Sequence, residues 1–140
     1  MAGDCVLFVM ALFIGLMGVS KLSAVDASAK ELQNHGLLPP ESIVPLTAVA
    51  GVAELALGFV MAASLRARSS RPAIMSLAIG LLASFSVYLV AVLVLRGPKM
   101  GCGCGTGPAT SIAAAIMRNA ILLILLSGLF WQAKRAPERV

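Results

Sequence analysis

Four long apolar blocks leave this chain few ways to fold. A helix needs about 20 apolar residues to cross the hydrocarbon core of a bilayer. The blocks at residues 5–20, 43–65, 72–95 and 112–131 meet that need, the first near its lower limit and the last interrupted by Arg118 and Asn119. The sequence therefore predicts an all-α integral membrane protein, a four-helix bundle whose 140 residues form one domain. Only 12% of the residues are charged, about half the share of a soluble domain, and the mean hydropathy is +0.96. The net charge of +5 does not make a nucleic-acid partner. Its Lys and Arg residues stand between the apolar blocks and near the C-terminus, where they orient helices and meet anionic lipid headgroups. Ala27-Ser28-Ala29 resembles a signal-peptide cleavage site, but Asp4 and the lack of any early Lys or Arg argue against one. The first block is read as a span.

Orientation follows from the basic residues of the short loops. With four spans, one side holds Arg66, Arg68, Arg71, Lys134, Arg135 and Arg139, and the other holds Lys21, Lys30, Arg96 and Lys99. This places both termini in the cytoplasm of a cell whose inner or plasma membrane carries the protein. The loop before the fourth span then faces out. In the first outer loop, Ser28-Ala29-Lys30-Glu31 fits a capping box, Gly36 a helix stop, and Pro39-Pro40 a block to continuation. These signals predict a short surface helix over 29–35, with His35 at the surface. Small residues line helix faces at Gly15 and Gly18, at Gly51 and Gly58, and at Ser76, Gly80 and Ser84. Such faces let helix backbones approach, within one bundle or against another subunit.

The outward loop before the fourth span, Lys99-Met100-Gly101-Cys102-Gly103-Cys104-Gly105-Thr106-Gly107-Pro108, brings two cysteines within reach of each other. A Cys-Gly-Cys pair closes a small strained disulfide ring, and strain makes a disulfide easier to reduce. The flanking glycines accept unusual backbone angles, and Pro108 suits the first turn of the fourth helix. A helix N-terminus just downstream, with Lys99 nearby, favours the thiolate that acts as nucleophile. A closed zinc site needs four ligands and this side adds only His35, although a soft Cu(I) or Hg(II) ion manages with two thiolates. Cys5 lies a membrane thickness away and is read as a packing residue.

Charges within the spans are the second signal. Glu54 sits near the middle of the second span, and a carboxylate at that depth marks a functional site or an ion pair. Arg118 lies about two turns into the fourth span, placed to meet Glu54, to snorkel outward or to hold an anionic group. Asn119 beside it can hydrogen-bond across helices. Together they make either a structural clasp between the second and fourth spans or part of a cofactor site. Lys21 is read as a snorkelling anchor at the outer end of the first span.

These residues, in order, resemble the MauE/DoxX-like redox-associated membrane proteins, and the methylamine-utilisation branch most closely. The resemblance rests on Gly18-Val19-Ser20-Lys21-Leu22, Leu37-Leu38-Pro39, Glu54, Cys102-Gly103-Cys104 and Arg118-Asn119 followed by Leu122. It covers nearly the whole chain. One departure is Gly105-Thr106, where members of the family often carry Phe-Gly. The resemblance implies a four-helix membrane protein that works with a thioredoxin-like partner in disulfide formation of periplasmic proteins. The implied client is the disulfide-rich small subunit of methylamine dehydrogenase. The leading expectation is a thiol–disulfide oxidoreductase or relay component: Cys102 and Cys104 exchange disulfides with that partner, and a quinone near Glu54, Lys21, Arg118 and Asn119 carries electrons. Two other classes stand beside it, a soft-metal transfer protein using the cysteine pair and a non-catalytic subunit of a larger membrane complex.

Overall fold

The computed structural model describes residues 2–67, 70–97 and 111–135. Five helices occupy them: α1 (Ala2–Ser23), α2 (Val25–Asn34), α3 (Pro40–Ala63), α4 (Arg71–Arg96) and α5 (Ile112–Arg135). Four of these, all but α2, are long and apolar enough to cross a membrane. No strand occurs among the described residues, and the fold is an all-α four-helix bundle with one additional short helix.

Local chemistry accounts for the helix boundaries. Gly36 takes a positive φ of 61° immediately after α2 and its C-cap, the left-handed conformation that a glycine reaches without steric cost. Pro39 is extended, and Pro40 opens α3 where its missing N–H costs no helical bond. Gly97, with φ 86°, closes α4. The predicted start of the short helix is corrected. It begins at Val25 behind Ala24, whose side chain makes no capping bond. Ser28 lies inside the helix, buried, and its amide bonds the carbonyl of Ala24, so no capping box forms there.

The spans associate as two tight pairs, α1 with α3 and α4 with α5, and contacts between the pairs are sparse. Glycine decides the first pairing. A Cβ added at Gly18 falls 2.5 Å from the Leu55 amide nitrogen and 2.6 Å from the Gly51 carbonyl oxygen, and one at Gly58 falls 2.8 Å from Gly15 Cα. Only glycine permits that approach. The third small face has no helix packed on it among the described residues: a Cβ at Gly80 meets none of their atoms within 4 Å, and Ser76, Gly80 and Ser84 are exposed. Leu7, Met10 and Ile14 of α1, with Met61, Met75 and Leu126, fill the core nearer the termini. A second cluster of Leu89, Val92, Ile112 and Ala115 holds α4 to α5 at the opposite end. The outer faces are apolar, with Phe59, Val94 and Ile124 each more than two-thirds exposed, as suits a lipid environment.

At the end carrying the termini, Arg71 links three helix ends. Its guanidinium meets Asp4 of α1 at 2.8 Å and donates to the carbonyls of Ser64 (2.8 Å) and Leu65 (2.9 Å) just beyond α3. Those carbonyls lack helical partners, so one side chain closes α3 and anchors α1 to the start of α4.

Candidate functional site

Close approach of α1 and α3 at Gly18 and Gly51 brings Lys21, in the last turn of α1, against Glu54 in the body of α3. Lys21 Nζ donates to Glu54 Oε1, and the side chains are 4% and 14% exposed. The ammonium also lies 4.5 Å from the centre of the Phe85 ring of α4, a cation–π contact that partly replaces lost hydration. Lys21 is therefore a buried ion-pair partner and not a snorkelling anchor. Glycine packing draws its stem inward: Lys21 Cβ lies 3.3 Å from where a Cβ on Gly51 would stand.

Arg118 does not take Glu54. It crosses towards α1, where Nη1 donates to Met17 Sδ at 3.9 Å and the guanidinium stands 6.0 Å from the Phe13 ring. The expected clasp between the second and fourth spans is replaced by an ion pair between the first and second. Asn119, beside Arg118, is 3% exposed.

Sequence reasoning grouped Lys21, Glu54, Arg118 and Asn119 as a candidate cofactor site, and the fold brings all four to one cavity of about 30 Å³ whose walls come from all four spans. That is room for a water or two. Glu54 Oε2 and Arg118 Nε are buried there with no hydrogen-bond partner among the described residues. Lys21 and Glu54 neutralise each other. Arg118 is the remaining charge, and no salt bridge to it exists among the described residues. A guanidinium in that state favours an acceptor oxygen strongly, because buried unpaired donors are costly.

Two larger spaces adjoin this cavity. One, of about 250 Å³, lies between α2, α3 and α4 and is walled by residues including Leu32, Ala50, Ser84 and Tyr88, with Lys21 at its edge. The other is an open groove of about 660 Å³ between α1 and α5, walled by apolar side chains including Val9, Phe13, Met117 and Ile121. Arg118 lines both the groove and the internal cavity.

The sequence missed the lock above the second space. His35, expected at the surface, is 1% exposed, with Nδ1 3.0 Å from the Tyr88 hydroxyl. Arg96 at the end of α4 donates to the Gly36 carbonyl at 3.0 Å. Together these contacts hold the end of α2 against α4. The available signal was Tyr88 itself, the sole tyrosine and within a span, whose hydroxyl needs a partner when buried. Cys5 is also corrected, being exposed on the wall of the α1–α5 groove instead of packed inside. Cys102 and Cys104 lie outside the described residues. The segment containing them leaves α4 after Gly97 and enters α5 through Ser111, at the end of the bundle where α2 sits.

No curated protein and no solved structure matches this chain. The sequence model for methylamine utilisation protein MauE matches residues 1–132. With nearly all of the chain covered, the protein belongs to the MauE family of methylamine utilisation proteins.

Proposed function

We propose that this membrane protein is a thiol–disulfide redox component that supports disulfide formation in extracytoplasmic proteins needed for methylamine utilisation. The observation that carries the reading is one of chain order. A Cys-Gly-Cys pair stands in the segment between α4 and α5, and the cluster of buried ionisable groups lies towards that end of the bundle, with Lys21 in the last turn of α1 and Arg118 early in α5. Thiolates exchange disulfides by direct attack through a mixed disulfide, and the extracytoplasmic side permits disulfides to persist.

In this scheme the disulfide of Cys102 and Cys104 is attacked by a thiolate of a thioredoxin-like partner. The partner becomes oxidised and passes its disulfide to the client. To regain their disulfide the two thiols left on this chain would give up two electrons and two protons, which a lipid-soluble quinone, if bound, would take up as the quinol. The residues fit such a group: Arg118 Nε is a buried donor with no partner among the described residues, and Arg118 lines an apolar groove. The chain's own part is to hold the thiols at one membrane face, to offer Arg118 to an acceptor oxygen, and to keep Lys21 and Glu54 mutually neutral.

The test is thiol trapping. Membranes are treated with an alkylating reagent before and after reduction, and the Cys102→Ser, Cys104→Ser double variant is assayed for oxidation of the partner. The expected result is a pair that resists alkylation until reduced, with partner oxidation lost in the double variant. If both thiols stay free under oxidising conditions and partner oxidation survives their removal, the redox reading fails.

A further inference from the structure

The α1–α5 groove and Arg118 together define how a hydrophobic ligand enters. The groove is open, and among the described residues that line it Arg118 alone carries charge. Its guanidinium lies against Met17 and Phe13, one to two turns further into the bundle than Lys21. Measured along α5 from Ile112, Arg118 is about 9 Å in. A donor held at this depth and turned inward does not meet phospholipid headgroups, which stay at the interface. An acceptor that reaches it from the groove arrives through the hydrocarbon, so it is a molecule with an apolar body and an oxygen stable at that depth.

We infer that the groove between α1 and α5 is a lateral binding site for a lipid-soluble quinone, with a ring carbonyl accepting a hydrogen bond from Arg118 and the isoprenoid tail lying along Val9, Met10 and Ile121 towards Cys5. This rests on the redox reading above and assigns to it a port, a donor and a tail path. A carbonyl is neutral, so it enters hydrocarbon cheaply, and any negative charge gained by its oxygen is met by a half-buried guanidinium that no carboxylate among the described residues offsets. Lys21 and Glu54 are not the contact, because each already neutralises the other. The internal cavity of about 30 Å³ does not admit an aromatic ring, whereas the groove, at about 660 Å³, does. The space between α2, α3 and α4 (about 250 Å³) is large enough, but the charged group at its edge is the already paired Lys21.

The experiment uses the full-length chain in nanodiscs of synthetic phosphatidylcholine and a photoactivatable quinone bearing a short isoprenoid tail. Crosslinked peptides are expected from α1 and α5, around residues 9–13 and 117–121. Arg118→Met should weaken labelling at least tenfold, and Arg118→Lys should restore part of it. Ile121→Trp, which fills the groove and leaves the arginine in place, should also block labelling, so the result does not depend on how Arg118→Met folds. In the Cys102→Ser, Cys104→Ser background, binding the quinone should protect Cys5 from maleimide. That arm needs no redox activity. Binding without thiol cycling would sink the redox reading alone, and thiol cycling with no labelling in the groove would sink this inference alone. Labelling on α3 and α4, equal competition by a long-chain fatty acid, or Cys5–Cys5 crosslinking that shows the groove covered by a second copy would each overturn it.

Discussion

Lys21 stands near the end of an apolar helix, yet its ammonium is almost wholly removed from solvent and bonded to a carboxylate 33 residues along the chain. Removing one member of such a pair leaves the other uncompensated in a low-dielectric interior, at a cost of about 3–5 kcal/mol. Lys21→Met should therefore lower thermal stability in detergent sharply, while Lys21→Met combined with Glu54→Gln should recover more than half of the loss. Equal losses in single and double variants, read from melting temperatures, would show that the pair contributes no coupling. Glu54 was legible in the sequence as a group needing a partner, because carboxylates are rare at membrane depth. Which cation it takes was not legible. The sequence offered Arg118 for it and left Lys21 as an anchor, whereas the choice depends on helix rotation, which the close approach at Gly18 and Gly51 sets. His35 was misread for a related reason: one histidine beside a glycine looks solvated until Tyr88, more than 50 residues away in sequence, is placed beside it.

At the scale of elements, the four long helices could be read from block length alone, because lipid thickness fixes how many apolar residues a span requires. The short α2 was legible in its stop at Gly36 but not in its start, since its first turn has no side-chain cap to betray it. Glycine content pointed to the close approach of α1 and α3, whereas the small face of α4 packs on no helix of this chain among the described residues. The distinction is one of contact, because the sequence marks where a backbone can approach and only the fold shows where one does. Gly18→Ala and Gly58→Ala should each destabilise the bundle by about 1–3 kcal/mol, since backbone atoms and not flexible side-chain tips stand in the way. Gly80→Ala should be neutral or slightly stabilising, no atom of the described residues standing within 4 Å of the added methyl and alanine being the better helix former. Melting curves of the three variants check this, and a Gly80→Ala loss as large as the others would point to a face covered in the membrane.

For the whole molecule, the proposed orientation has a direct readout. In a chain whose three cysteines are replaced, Glu41→Cys should react with an impermeant maleimide in intact cells, and Arg66→Cys only after permeabilisation; the reverse pattern would invert the scheme and move the Cys102/Cys104 segment inside. Pairing within the bundle was less legible than its size. Nothing in hydropathy says that α1 chooses α3 while α4 chooses α5, leaving a loose seam on which the charged cluster sits. The bond between Lys21 and Glu54 then bears on how the protein is made. While a chain is being inserted, its first span enters lipid with a cation whose partner has not yet left the ribosome, and it stays so until roughly a further span has been synthesised. The nascent protein passes through a stage in which α1 is only provisionally settled, and the arrival of α3, with its carboxylate and its glycines, fixes it. Substitution of Glu54 should thus show first as poor insertion of a helix that does not contain it.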